Sequence, residues 1–410
     1  MVTYPNDWDE RSIGDFVHVG RGASPRPIEA FLTSGVDGVN WIKIGDAPRY
    51  GKYITQTAEK ITQSGATRSV RVNAGDFILS NSMSFGRPYI LNIDGCIHDG
   101  WLRLYDYQDS VDKEFLYYLL SSEDTKKQYA TFAAGSGVQN LNKTVVKKVI
   151  VYLPSIPEQR RIAKALSEMD EHIDNLAELI EKKKAIRDGA LEDLVSGRTR
   201  LAGYQQGWIT VPFGEYFTML GNNTYAREQL SEHGTIGNIH YGDILVKYGN
   251  VVSDRDDIPR LKEGVAFSEK WLLQKADILI ADTAEDETVG KAIQIGEISY
   301  PVVGGLHTIV CRPNMKTAPG FLGYYINSRA FHDQLLPHIT GIKVSSVSKK
   351  AIKTTELRIP SDVEEQEAIT GVLVSMDDEI RDLEDERDKM IQIREGAMDD
   401  LLTGRVRLTA

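Results

Sequence analysis

The sequence is poor in cysteine and contains no long hydrophobic run. Its two cysteines, Cys96 and Cys311, stand far apart in a chain of 410 residues. They provide neither a disulfide framework nor the paired spacing of a zinc site. No apolar stretch approaches the roughly 20 residues that a membrane-spanning helix needs, and the polar segment 1–11 does not resemble a signal peptide. These absences favour a reducing environment, and we expect a cytoplasmic protein.

The sequence also lacks the short motifs of nucleotide-dependent and metal-dependent enzymes. A phosphate-binding P-loop needs Gly-Lys followed by Ser or Thr, whereas the Gly-Lys pairs that begin at Gly51 and Gly290 are followed by Tyr and Ala. We find no glycine-rich loop for S-adenosylmethionine (AdoMet), no Asn-Pro-Pro-Tyr-type methylation motif and no HExxH zinc motif. Isolated histidines such as His98 and His307 are expected to be structural, and the acidic stretch 282–287 to be a solvated loop. We therefore predict no catalytic residue and no metal site in this chain.

Acidic side chains outnumber basic ones by 59 to 48, which gives a net charge of −11 at pH 7. A nucleic-acid-binding protein is usually basic, but the acidic surplus is unevenly distributed here. Residues 364–410 contain 14 acidic and 6 basic side chains, whereas 1–157 and 202–363 are close to neutral. The two larger segments can therefore present local basic faces, so the charge permits DNA binding without predicting it.

The strongest signal in the sequence is an internal duplication. Residues 159–201 align without gaps with residues 366–408, with 18 identities in 43 positions. In both copies apolar residues recur at alternating intervals of four and three residues, which is the period of a coiled-coil seam. Each copy therefore predicts a long helix, roughly 55 Å from 159 to 196. Gly197 and Gly404 are typical of the residue that follows a helix C-terminus.

Each predicted helix needs a partner for its apolar seam, and the other copy is the nearest candidate. The first copy contains Lys182, Lys183 and Lys184, whereas the second copy is rich in Glu and Asp. We therefore predict that the two helices pair antiparallel as a coiled coil. The alternative is a pair of unrelated surface helices that pack on separate domains.

The segments that precede the two helices correspond more loosely. Asp76 to Leu79 match Asp277 to Ile280, and residues 135–143 match residues 341–349. Both segments are expected to be α+β. Strands are predicted at 39–44, 68–72, 76–80 and 88–93 in the first segment and at 243–248, 277–281, 292–298 and 306–311 in the second. Helices are predicted at 112–130 and 319–336, each followed by a polar loop and then by a strand at 145–153 or 352–359.

These patterns together predict an α+β fold with a pseudo-two-fold internal repeat. Two globular domains are joined by two long antiparallel coiled-coil helices. The predicted boundaries are 1–157 for the first domain, 158–201 for the central helix, 202–363 for the second domain and 364–410 for the C-terminal helix. Because the framework is shared while the intervening polar residues differ, the two domains suit two readers of different sequences.

Short motifs mark the ends of the repeated helices. The first helix starts within Leu-Pro-Ser-Ile-Pro-Glu-Gln-Arg (153–160) and ends at Ser-Gly-Arg-x-Arg-Leu (196–201), which is echoed by Thr-Gly-Arg-x-Arg-Leu (403–408). Over essentially the whole chain this arrangement resembles the specificity subunits of Type I restriction-modification systems. The start of the second helix departs from the pattern, because Ile-Pro-Ser-Asp-Val-Glu-Glu-Gln (359–366) lacks the second proline and has one extra residue.

The resemblance implies a specific role in host defence. Each globular domain would be a target recognition domain that reads one half of a split, asymmetric site in double-stranded DNA. The paired helices would set the spacing between the half-sites and dock two modification (methyltransferase) subunits, which bring AdoMet and methylate adenine. A restriction subunit, where one exists, would use ATP and Mg for translocation and cleavage. The chain itself would bind no cofactor.

Candidate DNA contacts are polar residues on segments expected to project, because donors and acceptors there can reach bases and phosphates. In the first domain they are Lys43, Ser82, Ser84, Arg87, Tyr89, Ser136, Gln139, Asn140 and Lys143. In the second domain they are Lys247, Tyr248, Asn250, Lys291, Lys343, Ser345, Ser346, Ser348 and Lys349. The loops 135–143 and 341–349 are the strongest candidates, and the alternative is that they are ordinary solvated loops. The aromatic residues expected in the core rather than stacked on bases are Phe115, Tyr118, Phe321 and Tyr324.

Two other functions are compatible with the sequence. The chain could be a free-standing DNA-binding regulator with two tandem readers, or a coiled-coil scaffold whose α/β domains bind proteins. Neither explains why two frameworks with different loops accompany a duplicated long helix. Because the reading domains are close to neutral, the isolated chain is expected to bind DNA weakly and to bind it tightly only with its partners.

Overall fold

The computed structural model describes residues 4–48, 51–81, 86–107, 110–134, 141–341 and 343–408. The chain forms two compact units. Unit 1 comprises Met1–Leu179 and Leu383–Ala410, and unit 2 comprises Ile180–Asp382. Each unit therefore contains one globular segment together with parts of both long helices. Within the described residues, no helix combines the length and the apolar character needed to cross a membrane.

Unit 1 consists of short strands followed by helices. The strands are β1 (Asp9–Ser12), β2 (His18–Arg21), β3 (Leu32–Thr33), β4 (Val39–Ile42), β5 (Tyr53–Ile54), β6 (Glu59–Ile61), β7 (Val70–Val72), β8 (Phe77–Ser80), β9 (Pro88–Leu91), β10 (Gly95–Ile97), β11 (Trp101–Tyr105) and β12 (Ile150–Leu153). The helices are α1 (Gln63–Ala66), α2 (Lys113–Ser121), α3 (Glu123–Ala134), α4 (Lys143–Lys148) and α5 (Ile156–Ser196), the last of which continues into unit 2.

Two sheets and the helix α2 pack together in unit 1. One sheet has the strand order β3-β6-β4-β10-β7, the other has the order β2-β11-β8-β9-β5, and β1 pairs separately with β12. Successive residues of β8 point to opposite faces. Phe77 therefore packs in one core cluster with Phe115 of α2, and Ile78 packs in another with Trp101 and Ile42. The sheet that contains β8 is thus buried on both faces.

Unit 2 follows the same plan. Its strands are β13 (Trp208–Pro212), β14 (Phe217–Leu220), β15 (Leu230–Ser231), β16 (Gly237–Ile239), β17 (Val251–Val252), β18 (Arg260–Leu261), β19 (Ile278–Ala281), β20 (Thr283–Ala284), β21 (Ala292–Ile295), β22 (Val302–Gly304), β23 (Thr308–Pro313), β24 (Ser345–Ser346) and β25 (Glu356–Pro360). Its helices are α6 (Phe213–Tyr216), α7 (Tyr241–Val246), α8 (Phe321–Asn327), α9 (Arg329–His332), α10 (Lys349–Ile352) and α11 (Val363–Leu402), the last of which continues into unit 1.

The sheets of unit 2 repeat the topology of unit 1. The order β14-β23-β19-β21-β17 corresponds to β2-β11-β8-β9-β5, and β15-β18-β16-β22 corresponds to the other sheet. Ile278 and Ile280 of β19 pack in the core cluster that contains Phe321 of α8, while Leu279 packs on the opposite face. The aromatic residues that the sequence assigned to the core are confirmed there, since Phe115, Tyr118, Phe321 and Tyr324 are all buried.

In unit 1, α5 and the C-terminal part of α11 run antiparallel. Asp170 of α5 forms an ion pair with Arg394 of α11 at 2.9 Å, and Glu158, nearer the start of α5, pairs with Arg407 beyond the end of α11. The Tyr118 hydroxyl on α2 donates a hydrogen bond to Asp170 at 2.6 Å. One carboxylate therefore connects the globular segment to both helices.

Unit 2 contains the equivalent contacts with the roles of the two helices exchanged. Asp377 of α11 pairs with Arg187 of α5 at 2.7 Å, and Glu365 pairs with Arg200 at 2.6 Å. The Tyr324 hydroxyl on α8 donates to Asp377 at 2.5 Å. These contacts confirm the predicted antiparallel pairing, and they explain the second arginine of each Gly-Arg-x-Arg-Leu motif.

The glutamine at the start of each long helix has the same role in both units. The Gln159 side chain accepts a hydrogen bond from the Asp112 amide at 2.8 Å and donates to the Pro154 carbonyl at 2.8 Å. Gln366 accepts from the Ala318 amide at 3.0 Å and donates to the Pro360 carbonyl at 2.9 Å. Both side chains are buried, so the Glu-Gln pair in the sequence marks the junction between helix and globular segment.

The predicted strand at 243–248 is wrong, because Tyr241–Val246 forms α7. The His240 side chain accepts a hydrogen bond from the Gly242 amide and caps this helix. The apolar residues Ile244 and Leu245 point into core clusters, whereas Val246 is exposed. A run of apolar residues this short fits either type of element, and the cap decides in favour of the helix.

Other predicted elements have different limits. The helix predicted at 112–130 is divided at Ser122, whose backbone is extended, into α2 and α3. The strands predicted at 145–153 and 352–359 begin only at Ile150 and Glu356. They are preceded by α4 and α10, whose first turns are capped by Asn142 and Ser348. In both units, therefore, a capped helix connects the polar loop to the strand.

Candidate nucleic-acid interface

In unit 1, three separate segments meet at one end of the sheets. They are the end of β8, the loop that connects β10 to β11 in the other sheet, and the loop that precedes α4. The Asn81 amide, directly after β8, donates to the Gly100 carbonyl in the β10–β11 loop at 3.0 Å, and the Leu141 amide donates to the Asn81 carbonyl at 3.0 Å. Residues 135–140 of this loop lie outside the described residues. The hydrogen bonds nevertheless fix where the predicted loop returns to the sheet.

Unit 2 brings the corresponding segments together in the same way. The Asp282 amide, directly after β19, donates to the His307 carbonyl in the β22–β23 loop at 3.1 Å, and the Val347 amide donates to the Asp282 carbonyl at 2.9 Å. The loop 341–349 is further held by pairing of β24 with β20. We call each group of three segments the interface of its unit. The same backbone frame carries different side chains in the two units.

The β10–β11 loop of unit 1 presents a carboxylate surrounded by donors. Asp99 accepts hydrogen bonds from the Ser24 hydroxyl at 2.8 Å and from Arg26 at 3.2 Å. The Ser24 hydroxyl and the Arg26 guanidinium lower the pKa of Asp99 below its ordinary value. Arg21 donates to the Asp99 backbone carbonyl at 3.2 Å. Asp99 therefore holds two arginines at the surface, where they can contact phosphates.

His98, beside Asp99, has a structural position. The Ile44 amide points at its Nε2 at 3.2 Å, and the Gly100 amide points at its Nδ1 at 2.6 Å. A neutral imidazole can accept one of these hydrogen bonds and a protonated ring can accept neither. Burial lowers the pKa of His98 below its ordinary value. The ring therefore supports the turn after β4 in the neutral form.

The β22–β23 loop of unit 2 presents a histidine whose backbone lies in the left-handed region. His307 has a φ of 56°, and its side chain is 46% exposed. Its Nδ1 lies 3.0 Å from Asp282 and 3.4 Å from the Thr283 hydroxyl. The edge of the Tyr241 ring packs against it with centroids 5.3 Å apart. This imidazole is therefore held at the surface by groups from two other segments.

An arginine lies near a second histidine of this unit, His240. Arg227 forms an ion pair with Asp243 of α7 at 2.9 Å, and its side chain is 57% exposed. Burial, followed by the nearby Arg227, lowers the pKa of His240. His240 follows β16, as Lys43 follows β4 in unit 1, and β16 and β4 have the same place in their sheets. Corresponding positions thus hold different polar groups in the two units.

The structure divides the candidate residues of the first domain into three groups. Ser82, Ser84, Ser136, Gln139 and Asn140 lie outside the described residues. Lys43 and Lys143 reach the surface, Lys43 within 2.7 Å of Glu59 and Lys143 at the start of α4. Tyr89 is buried beside Trp101, and the half-buried Arg87 packs over its ring at 5.1 Å. The prediction of a DNA contact for Tyr89 is therefore corrected to a core position.

Three of the four candidate residues between 247 and 291 in the second domain have structural positions. Tyr248 is buried in the core, which corrects its assignment as a contact residue. Lys291 donates to the Leu245 and Tyr248 carbonyls at 3.0 and 3.2 Å, and burial lowers the pKa of its ammonium group. Asn250 accepts a hydrogen bond from Asn327 at 2.8 Å. Lys247 is exposed and pairs with Asp257 at 2.7 Å. Lys291 and Asn250 thus have structural partners.

The remaining candidates of the second domain belong to the loop 341–349, which we call its interface loop. Ser345 and Ser346 form β24, Ser348 caps α10, and Lys343 and Lys349 are exposed. Residues that sequence reasoning missed lie on the β10–β11 and β22–β23 loops and beside them: Arg21, Arg26, Asp99, Arg227, Tyr241 and His307. No local sequence signal marks these residues, because tertiary contacts bring these loops to the strand ends.

Comparison with known proteins gives this arrangement a family. The family model described as "Type I restriction modification DNA specificity domain" matches twice, over residues 5–184 and 205–392. The chain is 23% identical to the Type I restriction enzyme MjaVIII specificity subunit of Methanocaldococcus jannaschii, over 98% of this chain and 94% of that protein. The putative MjaX specificity subunit of the same organism is also 23% identical, over 98% and 95% of the two chains.

Two solved structures have the same fold. One, from a study of complex assembly and conformational transition of the type I R-M system, has a TM-score of 0.62 at 16% identity and covers 99% of this chain and 100% of its own. The other is the S subunit of a Type I restriction-modification system from M. genitalium, with a TM-score of 0.54 at 17% identity and 98% of both chains covered. The predicted family resemblance and the predicted α+β fold are confirmed.

Proposed function

The chain belongs to the Type I restriction modification DNA specificity family, and from this premise we propose that each of its two units reads one half of a split DNA site. The family match covers both globular segments, which is the arrangement that a two-part site requires. We propose that the chain works in the cytoplasm as the recognition subunit of a larger complex. It contributes no catalytic residue, and the chemistry belongs to its partner subunits.

One observation carries this proposal. The two interfaces share a backbone frame, in which a strand end and two loops are joined by equivalent hydrogen bonds. The side chains on the frame differ, with Arg26 and Asp99 on one and Arg227 and His307 on the other. Different donors and acceptors on one frame favour recognition of different base sequences. A scaffold that binds one kind of protein partner twice would not need this difference.

The long helices support the proposed docking of two modification subunits. Ile186 of α5 and Ile393 of α11 occupy equivalent positions in the repeat, and they are 59% and 45% exposed. Their equivalent placement on the two repeated helices supports a partner surface that occurs twice. Because the repeat creates this feature twice, we propose one subunit at each site. These subunits would bring AdoMet and methylate adenine, and a restriction subunit would add ATP- and Mg-dependent cleavage.

The helix lengths also suit a spacer. The helices α5 and α11 contain 41 and 40 residues, and at 1.5 Å per residue each is about 60 Å long. Half-sites one helical turn apart are roughly 34 Å apart along DNA. We propose that the helices set the number of base pairs between the half-sites.

Adenine-methylation mapping tests the proposed function. A genome that carries this gene and its methyltransferase partner is compared with the same genome after deletion of this gene. We expect a split, asymmetric methylation motif that vanishes in the deletion strain and returns on complementation. A motif that persists without the gene, while the methyltransferase is active, would show that the specificity lies elsewhere. A regulator or scaffold would then be the better interpretation.

A further inference from the structure

We propose that His307 is a specificity-determining residue of unit 2, whose Nε2 accepts a hydrogen bond from the exocyclic amino group of a base in the major groove. This inference rests on the proposed function of the chain and names the chemistry of one contact. Adenine N6 and cytosine N4 are the amino groups that the major groove presents. No sequence pattern selects this residue, since an isolated histidine is more often structural.

The backbone of His307 is held in an uncommon conformation. Its φ of 56° lies in the left-handed region, which non-glycine residues adopt infrequently, although Asn, Asp and His are enriched there. The His307 carbonyl accepts from the Asp282 amide at 3.1 Å, and this hydrogen bond fixes the β22–β23 loop to the end of β19. The imidazole lies at the surface beside this strand end. A glycine would satisfy the backbone at lower cost, so the side chain itself calls for an explanation.

Hydrogen bonds orient the His307 ring through Nδ1. Asp282 lies 3.0 Å from Nδ1 and also accepts from the Thr283 hydroxyl at 2.9 Å. A carboxylate can only accept, so the proton of the neutral ring is on Nδ1 and Nε2 is the acceptor. In the part of the chain that the structure describes, the hydrogen bonds of this ring all involve Nδ1. Nε2 is therefore available to an incoming donor.

Other polar groups of unit 2 also suit DNA. Arg227, whose side chain is 57% exposed, lies near His240 and suits a phosphate contact. The interface loop is joined to Thr283 through its pairing with Ser346. His332 provides a contrast within the same unit, because its Nε2 is 2.8 Å from the Val289 carbonyl in a structural contact. The two histidines differ in what remains for a ligand.

The test compares adenine-methylation motifs of cells that carry the full complex with wild-type chain or with His307→Gly. Glycine keeps the left-handed backbone and removes only the imidazole. We expect the half-site that unit 2 reads to lose its preference at one base pair by about tenfold. The other half-site and the spacing are expected to stay unchanged.

Two further variants separate base reading from a general structural role. Asp282→Ala frees the ring, and we expect it to relax the same base pair as His307→Gly. The control is His233→Ala, an exposed histidine that follows β15, at the opposite edge of its sheet from β22; it should leave the motif unchanged. A His307→Gly motif identical to wild type overturns the inference, and so does a uniform loss of methylation at every site. A wild-type complex without a split motif contradicts the proposed function instead.

Discussion

His98 and His307 lie in corresponding loops of the two units, β10–β11 and β22–β23, and their surroundings give them different roles. His98 is largely enclosed, with backbone amides pointing at both ring nitrogens. His307 has one nitrogen directed at Asp282 and the other directed away from it. The residue type is the same, so the difference comes from burial and from the hydrogen-bond partners. Burial lowers the pKa of His98 in the folded state, and stability therefore depends on pH through this residue.

Protonation of His98 should destabilise the fold at mildly acidic pH. Burial lowers its pKa in the folded state below the ordinary value of 6.5. As the pH falls from about 6.5 through the folded pKa, the unfolded chain binds a proton that the folded chain does not, so the free energy of unfolding decreases. We expect His98→Gln to reduce the loss of melting temperature between pH 7 and pH 5. The exposed His233→Gln serves as the control, and equal losses in wild type and His98→Gln would contradict the prediction.

At the scale of secondary-structure elements, each long helix is tied to a globular segment by one carboxylate. Asp170 accepts from Tyr118 and pairs with Arg394, and Asp377 does the same with Tyr324 and Arg187. The two tyrosine hydroxyls come from buried rings, and the carboxylates raise their pKa after burial, the larger cause. The repeated contact therefore fixes the angle at which helix and globular segment meet within each unit.

Neighbouring aspartates of α11 test this interpretation. Asp377→Ala leaves the Tyr324 hydroxyl and Arg187 without their acceptor, and we expect it to lower the free energy of unfolding by about 1.5–3 kcal/mol. Asp378→Ala removes an exposed ion pair with Arg381 at 2.9 Å, and we expect a loss of less than about 0.5 kcal/mol. Urea denaturation of the two variants measures the difference. Similar losses would mean that the Tyr–Asp–Arg contact has no special weight.

At the scale of the whole molecule, charge is separated along the chain. The net charge of −11 comes mainly from the C-terminal 47 residues, while the two reading segments are close to neutral. Arginines and lysines on the interfaces are partly neutralised by Asp99, Asp243 and Glu59. Because phosphate contacts dominate the affinity for DNA, the isolated chain lacks much of the attraction that a complex could supply.

We therefore expect the isolated chain to bind its DNA site weakly. At physiological salt the dissociation constant should be about 10⁻⁶ M or weaker, and binding should tighten steeply as salt is lowered. Filter binding at low and physiological salt, with and without the modification subunits, measures both effects. Nanomolar binding by the chain alone at physiological salt would refute this expectation.

The equivalent exposed isoleucines predict the stoichiometry of the complex. We expect Ile186→Glu or Ile393→Glu to remove one of two bound modification subunits, because a buried charge on a covered apolar surface is strongly unfavourable. The double variant should bind none. The control is Val246→Glu on α7, which is fully exposed on a globular segment and should leave assembly unchanged. Mass measurement by light scattering distinguishes the three complexes, and unchanged mass for the double variant would move the docking site elsewhere.

The sequence by itself determined the features that depend on local or repeated patterns. The heptad-like spacing predicted helices that the structure places at Ile156–Ser196 and Val363–Leu402, and the glycines after them, Gly197 and Gly404, adopt positive φ as expected of helix ends. The duplication and the motifs at the helix ends predicted the family. These signals survive in one sequence because period and capping act over a few residues.

Only the tertiary structure decided which polar residues form each interface. Strand pairing brings His307 to Asp282 and the loop around Ser346, and it places Arg26 beside Asp99, although these residues are distant or unremarkable in the sequence. The same packing removed Tyr89 and Tyr248 to the core and gave Lys291 backbone partners. A short apolar or polar run does not encode which face it will show. That choice depends on neighbours that the fold supplies from elsewhere in the chain.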